Sequence, residues 1–131
     1  MITFNELGSL GRLGNQLFQY AALRSLSLTN GYQIKIPDPS SKYWHGQECL
    51  LENLSLEAEY LSENDVRSIE YAYSEADPMK VDPLFFQIPD NTNISGFFQS
   101  TFYFEKHSNQ IRKELTPNLG LLEEAQSNIA E

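Results

Sequence analysis

The residues whose types and spacing could do chemistry lie close to the start of the chain. Gly8, Gly11 and Gly14 fall in the stretch Gly8-Ser9-Leu10-Gly11-Arg12-Leu13-Gly14-Asn15-Gln16. A short β-type run, Ile2-Thr3-Phe4, precedes it, and a helical pattern follows. Strand, Gly-rich turn and helix together can present backbone N–H groups and the positive end of a helix dipole to a phosphate. Steric need alone also puts glycines in tight strand–helix turns. The common nucleotide signatures are absent. There is no G-x-x-x-x-G-K-[ST], and glycines at 8, 11 and 14 do not have G-x-G-x-x-G spacing.

The elements that must position this turn can be read from the pattern. Residues 2–6 read as a strand and residues 8–14 as the turn. From Asn15, taken as N-cap, the residues Leu17, Phe18, Ala21, Ala22, Leu26 and Leu28 make a helical apolar stripe. Asn30-Gly31 ends that helix, and residues 32–36 alternate as a second strand. The three pieces make a βαβ unit. Beyond it, residues 37–41 read as a loop and residues 52–56 as a short strand. Ser62 caps a helix running to about Tyr71. Residues 72–93, with Pro78, Pro83 and Pro89, read as loop with a strand near Leu84-Phe85-Phe86. Asn93 to Gln99 reads as a buried strand. A helix capped by Ser100 or Thr101 then runs from Phe102 to Leu115, and a last helix spans residues 119–130. Nothing divides the chain, so residues 1–131 are taken as one α/β domain.

Composition narrows the function classes. The 131 residues are 40% apolar and include eight Phe and seven Tyr, which suits a packed globular interior. Nine basic against eighteen acidic side chains give a formal charge of −9. That sign argues against nucleic acid as a partner, because binding there rests on neutralising phosphates. A small anion would need a local site of helix N-termini and a few Arg. The single cysteine, Cys49, excludes an internal disulfide. No basic, apolar leader opens the chain, and no run approaches the roughly eighteen apolar residues of a membrane span. We expect a soluble, cytoplasmic protein.

Two segments together carry a family resemblance. Gly11-Arg12-Leu13-Gly14-Asn15-Gln16-Leu17-Phe18-Gln19-Tyr20-Ala21 resembles the G-[G/R]-L-G-N-Q-[M/L]-F-Q-Y-A signature of family 11 glycosyltransferases, the α-1,2-fucosyltransferases. Ile94-Ser95-Gly96-Phe97-Phe98-Gln99-Ser100 resembles that family's G-[Y/F]-F-Q-S strand, and the aromatic residues Phe102, Tyr103 and Phe104 follow it. Order and spacing also fit, and the resemblance covers essentially the whole chain. It implies a Rossmann-like, mainly parallel sheet with flanking helices, the N-terminal half of a GT-B-type galactoside 2-α-L-fucosyltransferase. The donor would be GDP-fucose and the acceptor a galactose-containing glycan. No metal or other cofactor is implied, and the complete enzyme could sit peripherally on a membrane. Carried over by position, Gly14, Asn15 and Gln16 would lie against the donor. The Arg12 guanidinium would pair with phosphate oxygens.

One departure matters. The family's second half opens with a His-x-Arg-Arg-Gly-Asp-type motif and binds most of the donor, and no such motif occurs in these 131 residues. We therefore expect the acceptor-side half, with the C-terminal donor-binding half absent. The expected partner is a second chain, or a homo-oligomer, covering the missing domain's face. Alone it should be inactive. The alternative is a non-catalytic glycan- or nucleotide-binding remnant acting with a partner chain, or an unrelated nucleotide-binding fold.

Other candidates are weaker. His45 and His107 have no partners at metal-ligand spacing, so no metal site is expected. Cys49 has no basic neighbour to activate it. Tyr43 and Trp44 could stack on a sugar ring, although core packing serves equally. Asp38, Asp65, Asp77, Asp82 and Asp90 read as turn or cap residues. Glu57, Glu59, Glu63, Glu70 and Glu75 read as a solvated face. The catalytic base is unknown.

Overall fold

A computed structural model describes residues 1–8, 13–38 and 54–116. Arg12, Tyr43, Trp44, His45, Cys49 and the helix expected over 119–130 lie outside the described residues. Five short strands form one all-parallel sheet: β1 (Ile2–Thr3), β2 (Ile34–Ile36), β3 (Glu59–Tyr60), β4 (Tyr71–Ser74) and β5 (Thr92–Ser95). Their order across the sheet is β3-β2-β1-β5-β4. This is the Rossmann-like α/β architecture expected. Parallel neighbours cannot be joined by a tight hairpin, so each connection must cross over.

The first crossover is α1 (Leu13–Asn30), which packs on β1 and β2. It is buried along Tyr20, Ala22, Leu23 and Leu26. Helix α1 starts at Leu13, ahead of the expected N-cap, so Asn15 lies inside its first turn. Its end is where Asn30-Gly31 placed it. Gly31 takes φ +72°, and the Gly31 and Tyr32 N–H groups both close on the Ser27 carbonyl, at 2.8 and 3.0 Å. Left-handed backbone at that position favours glycine.

Helix α2 (Glu63–Ser68) has the capping box that Ser62 promised. Asp65 N–H donates to Ser62 Oγ, and Ser62 N–H donates to Asp65 Oδ2. Asp65 also pairs with Lys35 of β2 at 3.2 Å. These contacts hold its carboxyl below the usual carboxylate range, and the Ser62 backbone bond contributes most. The helix stops at Ser68, and Tyr71 instead opens β4, a strand not anticipated from the sequence. Chain from β3 to β4 passes from one edge of the sheet to the other.

Three further differences have local causes. The strand expected at 84–86 is a 3-10 turn, Phe85–Gln87. Asp82 Oδ1 accepts from Leu84 N–H at 2.8 Å and bends the chain there. The strand expected over 93–99 ends at Ser95, because Gly96 and Phe98 take φ +151° and +50°. The single helix expected over 102–115 is two 3-10 turns, Thr101–Tyr103 and Glu105–His107, followed by α3 (Ser108–Glu114). Ser100 does cap the first of them, its Oγ accepting from Phe102 N–H at 3.2 Å.

Helices α1 and α3 are joined through one buried carboxylate. Glu114, 1% exposed, accepts from Tyr20 Oη, from Arg24 Nε at 2.8 Å, from Gln110 Nε2 at 2.8 Å and from Glu57 N–H at 3.1 Å. Burial alone would raise its pKa. The bonds from Tyr20, Arg24, Gln110 and the Glu57 amide outweigh burial and lower it from the ordinary 4.5. Burial, together with the Glu114 carboxylate, pushes the Tyr20 phenol up, so Tyr20 stays a donor.

Removing the carboxylate strands a part-buried Arg24. Glu114→Ala should cost about 3 kcal/mol of unfolding free energy, measured by denaturant titration. The sign with pH follows from the depressed folded pKa. The Glu114 contribution is complete above the unfolded value near 4.5 and is lost as pH falls through the folded value. The stability gap between the wild type and Glu114→Gln should therefore shrink on acidification below about pH 4.5 and stay flat above it.

Candidate functional site

The strand order reverses beside β1. Chain runs outward from β1 through β2 to β3, then resumes at the far edge as β4 and returns inward as β5. In open parallel sheets the crevice outside the carboxyl ends of the strands at such a reversal is where ligands bind. Here that crevice lies between the segment after β1 and the segment after β5. The two segments singled out in the sequence are therefore neighbours in space. Asn15 Oδ1 accepts a hydrogen bond from Gln99 Nε2 across 84 positions of chain.

On the β1 side, α1 begins at Leu13 and has no acidic residue in its first turn. Its first backbone N–H groups have no intrahelical acceptor, so the positive end of its dipole is not neutralised from within the helix. Gly14 is exposed, and a Cβ built on it meets nothing within 4 Å. Neither crowding nor positive φ requires a glycine there. Asn15 is half-buried and faces Gln99. Gln16 is fully buried, and its Nε2 donates to the Gly8 carbonyl at 3.4 Å. Gln16 thus closes the ends of the Gly-rich turn on each other from behind, while Gly14 and Asn15 sit at its surface.

On the β5 side, the turn is built by a residue that the sequence did not single out for it. Glu75, just past β4, accepts from Phe97 N–H at 3.0 Å and from Phe98 N–H at 3.4 Å through one oxygen, Oε1. The solvated role expected for Glu75 is therefore corrected: it is half-buried and holds a turn. Gly96 allows the approach, because a Cβ there would lie 2.6 Å from Glu75 Cβ at φ +151°. Phe98 follows with φ +50°, a conformation costing a non-glycine residue about 1–2 kcal/mol. Full burial of its ring returns roughly 2–3 kcal/mol, so the strained turn is sustained by its own side chain. The ring meets Phe4, Phe85 and Tyr103 edge-on and Tyr73 face-on, with centroids 5.3 to 6.3 Å away. Gln99 emerges exposed beside it.

The floor between the two turns is amide-rich. Asn93 Oδ1 accepts from Asn5 N–H at 2.9 Å and from Thr3 Oγ1 at 3.2 Å. Asn5 Oδ1 is buried and has no hydrogen-bond partner among the described residues. Ser95 Oγ reaches Glu6 Oε1 at 3.4 Å. None of these crevice residues is a Lys or Arg. Asn5, Asn93 and Glu75 carried no signal of their own in the sequence. Gly96 did, as a glycine followed by two Phe.

Among the described residues no group of three or more His, Cys, Asp or Glu could hold a metal ion. His107 pairs with Thr29 Oγ1 at 2.9 Å, away from the crevice. No helix among them is long and apolar enough to cross a membrane. No family model matches this chain, and neither the curated proteins nor the solved structures contain a match to it.

The two glycines should respond oppositely to the same change. Gly14→Ala replaces a helix glycine in open space and should raise stability by about 0.5–1 kcal/mol. Gly96→Ala drives a methyl group into Glu75 and should cost about 1–3 kcal/mol. Chemical denaturation of the two variants reads both signs.

Proposed function

We propose that this chain is the acceptor-side half of a GT-B-type fucosyltransferase of the α-1,2 class. In the complete enzyme, fucose passes from GDP-fucose to the 2-hydroxyl of a galactoside. The observation that carries the proposal is the Asn15–Gln99 contact. The two separated segments that resemble the family meet at the carboxyl ends of adjacent central strands, where a parallel sheet offers its ligand crevice.

The roles divide by position. Gly14 leaves the first turn of α1 open to a diphosphate oxygen. Asn15 offers an amide to the same ligand, oriented by Gln99. Gln16 shapes the turn from within. Arg12 supplies the positive charge that the described crevice lacks. Inverting transfer needs a stabilised leaving diphosphate and an oriented acceptor hydroxyl. A helix N-terminus contributes about 0.3–1 kcal/mol to a nearby charge, and up to about 2 in favourable sites. Catalysis asks for roughly 8 kcal/mol or more. The missing interactions belong to a second half, supplied by further chain, a partner chain or a second copy.

A second reading, a non-catalytic glycan-binding domain acting with a partner, is favoured by one feature. The described crevice offers amides and hydroxyls, which suit neutral sugar hydroxyls, and no cation.

The decisive measurement is transfer from GDP-fucose to lactose. The 131-residue chain alone should give no turnover, and addition of a second half bearing an Arg-Arg-Gly-Asp-type motif should give turnover that Asn15→Ala reduces by about tenfold or more. Turnover by the chain alone would overturn its status as a half. Galactoside binding without transfer, even with the second half present, would favour the non-catalytic reading.

A further inference from the structure

The two edges of the sheet are built differently. β3 closes one edge with two residues, Glu59 and Tyr60, and Glu59 is engaged by Gln33 Nε2 at 2.8 Å and by Lys35 Nζ at 3.8 Å. A short, charged edge is a common protection against pairing with another chain. β4 closes the other edge with four residues, Tyr71-Ala72-Tyr73-Ser74, and carries neither a charge nor a proline. Among the described residues it pairs only with β5. We propose that the β4 edge is an interaction surface, and that its occupant is β4 of a second copy of this chain, paired antiparallel about a two-fold axis.

The backbone of β4 is set for such pairing. The Tyr71 and Glu75 N–H groups donate inward, to the Asn91 and Ser95 carbonyls at 3.0 and 2.9 Å. Alternation then turns the N–H and C=O groups of Ala72 and Ser74 away from β5. Both residues are exposed, and their small side chains leave the backbone within reach. An edge that presents donors and acceptors in this way is a template for strand addition.

Apolar surface lies beside the same edge. Six large hydrophobic side chains are exposed among the described residues, and four of them, Tyr71, Met79, Val81 and Leu84, belong to β4 or to the chain just after it. Tyr71 is on the same face of the strand as Tyr73, whose Oη donates to Asp82 Oδ2 at 2.6 Å. Val81 and Leu84 flank Asp82 in sequence, so the strip runs along that side of the edge.

Self-complementarity selects a second copy as the occupant. With Ala72 opposite Ser74 of the second copy, the axis passes between the two Tyr73 residues, and each Ala72–Ser74 pair exchanges both backbone hydrogen bonds. The same register sets Tyr71 opposite Glu75 and Glu70 opposite Ala76, so no acid faces an acid. A basic peptide would gain from the net charge of −9, but the four edge residues offer it no carboxylate. Glu75, the nearest, is turned inward to the Phe97 and Phe98 amides. Attraction between two copies is therefore short-ranged and carried by backbone and apolar contacts, while their net charges repel at long range. Salt should tighten this dimer, whereas it would loosen one held by opposite charges.

The test is sedimentation of the whole chain at up to about 1 mM, where a millimolar Kd is detected. A dimer should form with concentration. Its Kd should fall several-fold between about 0.1 and about 1 M NaCl, as the screening length shrinks from about 10 to about 3 Å. Amide hydrogen exchange should be fast at Ala72 and Ser74 in the dilute monomer and slow as the dimer forms. Ala72→Pro removes an outward donor and no bond to β5, so it should abolish the dimer and keep the native spectrum. Tyr71→Glu sets an acid opposite Glu75 of the second copy and should weaken the dimer about tenfold over the two symmetric pairs. A monomer under all conditions, a dimer that survives both variants or loosens with salt, or Ala72 and Ser74 amides already protected in the monomer because the chain covers its own edge would overturn the proposal. No nucleotide, glycan or second half enters the measurement, so its outcome is independent of whether transfer from GDP-fucose is ever seen.

Discussion

The structure depends most on the seam between β1 and β5. The ladder there is short: Ile2 faces Thr92 and Thr3 faces Asn93. Two residues of parallel pairing are little to hold the middle of a sheet, since parallel pairs are somewhat weaker than antiparallel ones. Asn93 lengthens the seam with its side chain. Its Oδ1 takes the Asn5 amide beyond the last ladder position, and the Thr3 hydroxyl beside it. Ile2, Phe4 and Ile94 are fully buried around the seam, so the hydrophobic term and the polar extension act at the same place. If the seam parted, the segments after β1 and β5 would separate, and with them Asn15 and Gln99.

Polar groups do much of the positioning elsewhere as well. Helix α1 buries Gln16, Gln19, Ser25 and Ser27 along with its apolar residues. Helix α3 is docked through Glu114 and through Ile111, both buried. Buried ionic groups are weak sources of net stability but tolerate few alternative geometries. The turn after β5 follows the same logic, with Glu75 accepting from two amides and Phe98 anchoring from below. Both halves of the crevice are therefore set by side chains outside it.

Much of the frame could be read from the sequence because its signals are local. Gly31 marked the end of α1, Ser62 marked the start of α2, and alternation marked β2. The α/β class followed from the βαβ unit. What escaped was decided by partners distant in sequence. β4 is an edge strand, mostly exposed, so Tyr71-Ala72-Tyr73-Ser74 shows no buried run to separate it from the preceding helix. The 3-10 turn at Phe85 reads as a strand because three consecutive apolar residues suit either state. Asp82 and the burial of Phe85 settle it. In the candidate site, Gly14, Asn15 and Gln16 were legible as a motif. That Gln16 points inward while Asn15 meets Gln99 is a tertiary fact. Glu75 looked like one more surface acid, and only the approach of Gly96 makes it a structural acceptor.

The distribution of charge sets what this surface can do unaided. Two basic side chains of the described sheet and helices are spent internally, Arg24 on Glu114 and Lys35 on Asp65. The crevice residues Asn5, Asn15, Asn93 and Gln99 are neutral, and Glu6 beside them is acidic. In a chain of net charge −9, an incoming diphosphate meets repulsion at long range and, among the described residues of the crevice, only a helix terminus at short range. A neutral, hydroxyl-bearing ligand meets no such penalty, and amides can both donate to it and accept from it. The proposed division of labour follows from that asymmetry. Under the proposed function, holding and orienting a sugar would fall to this chain, and the charge of a nucleotide donor would fall to a basic surface of the second half.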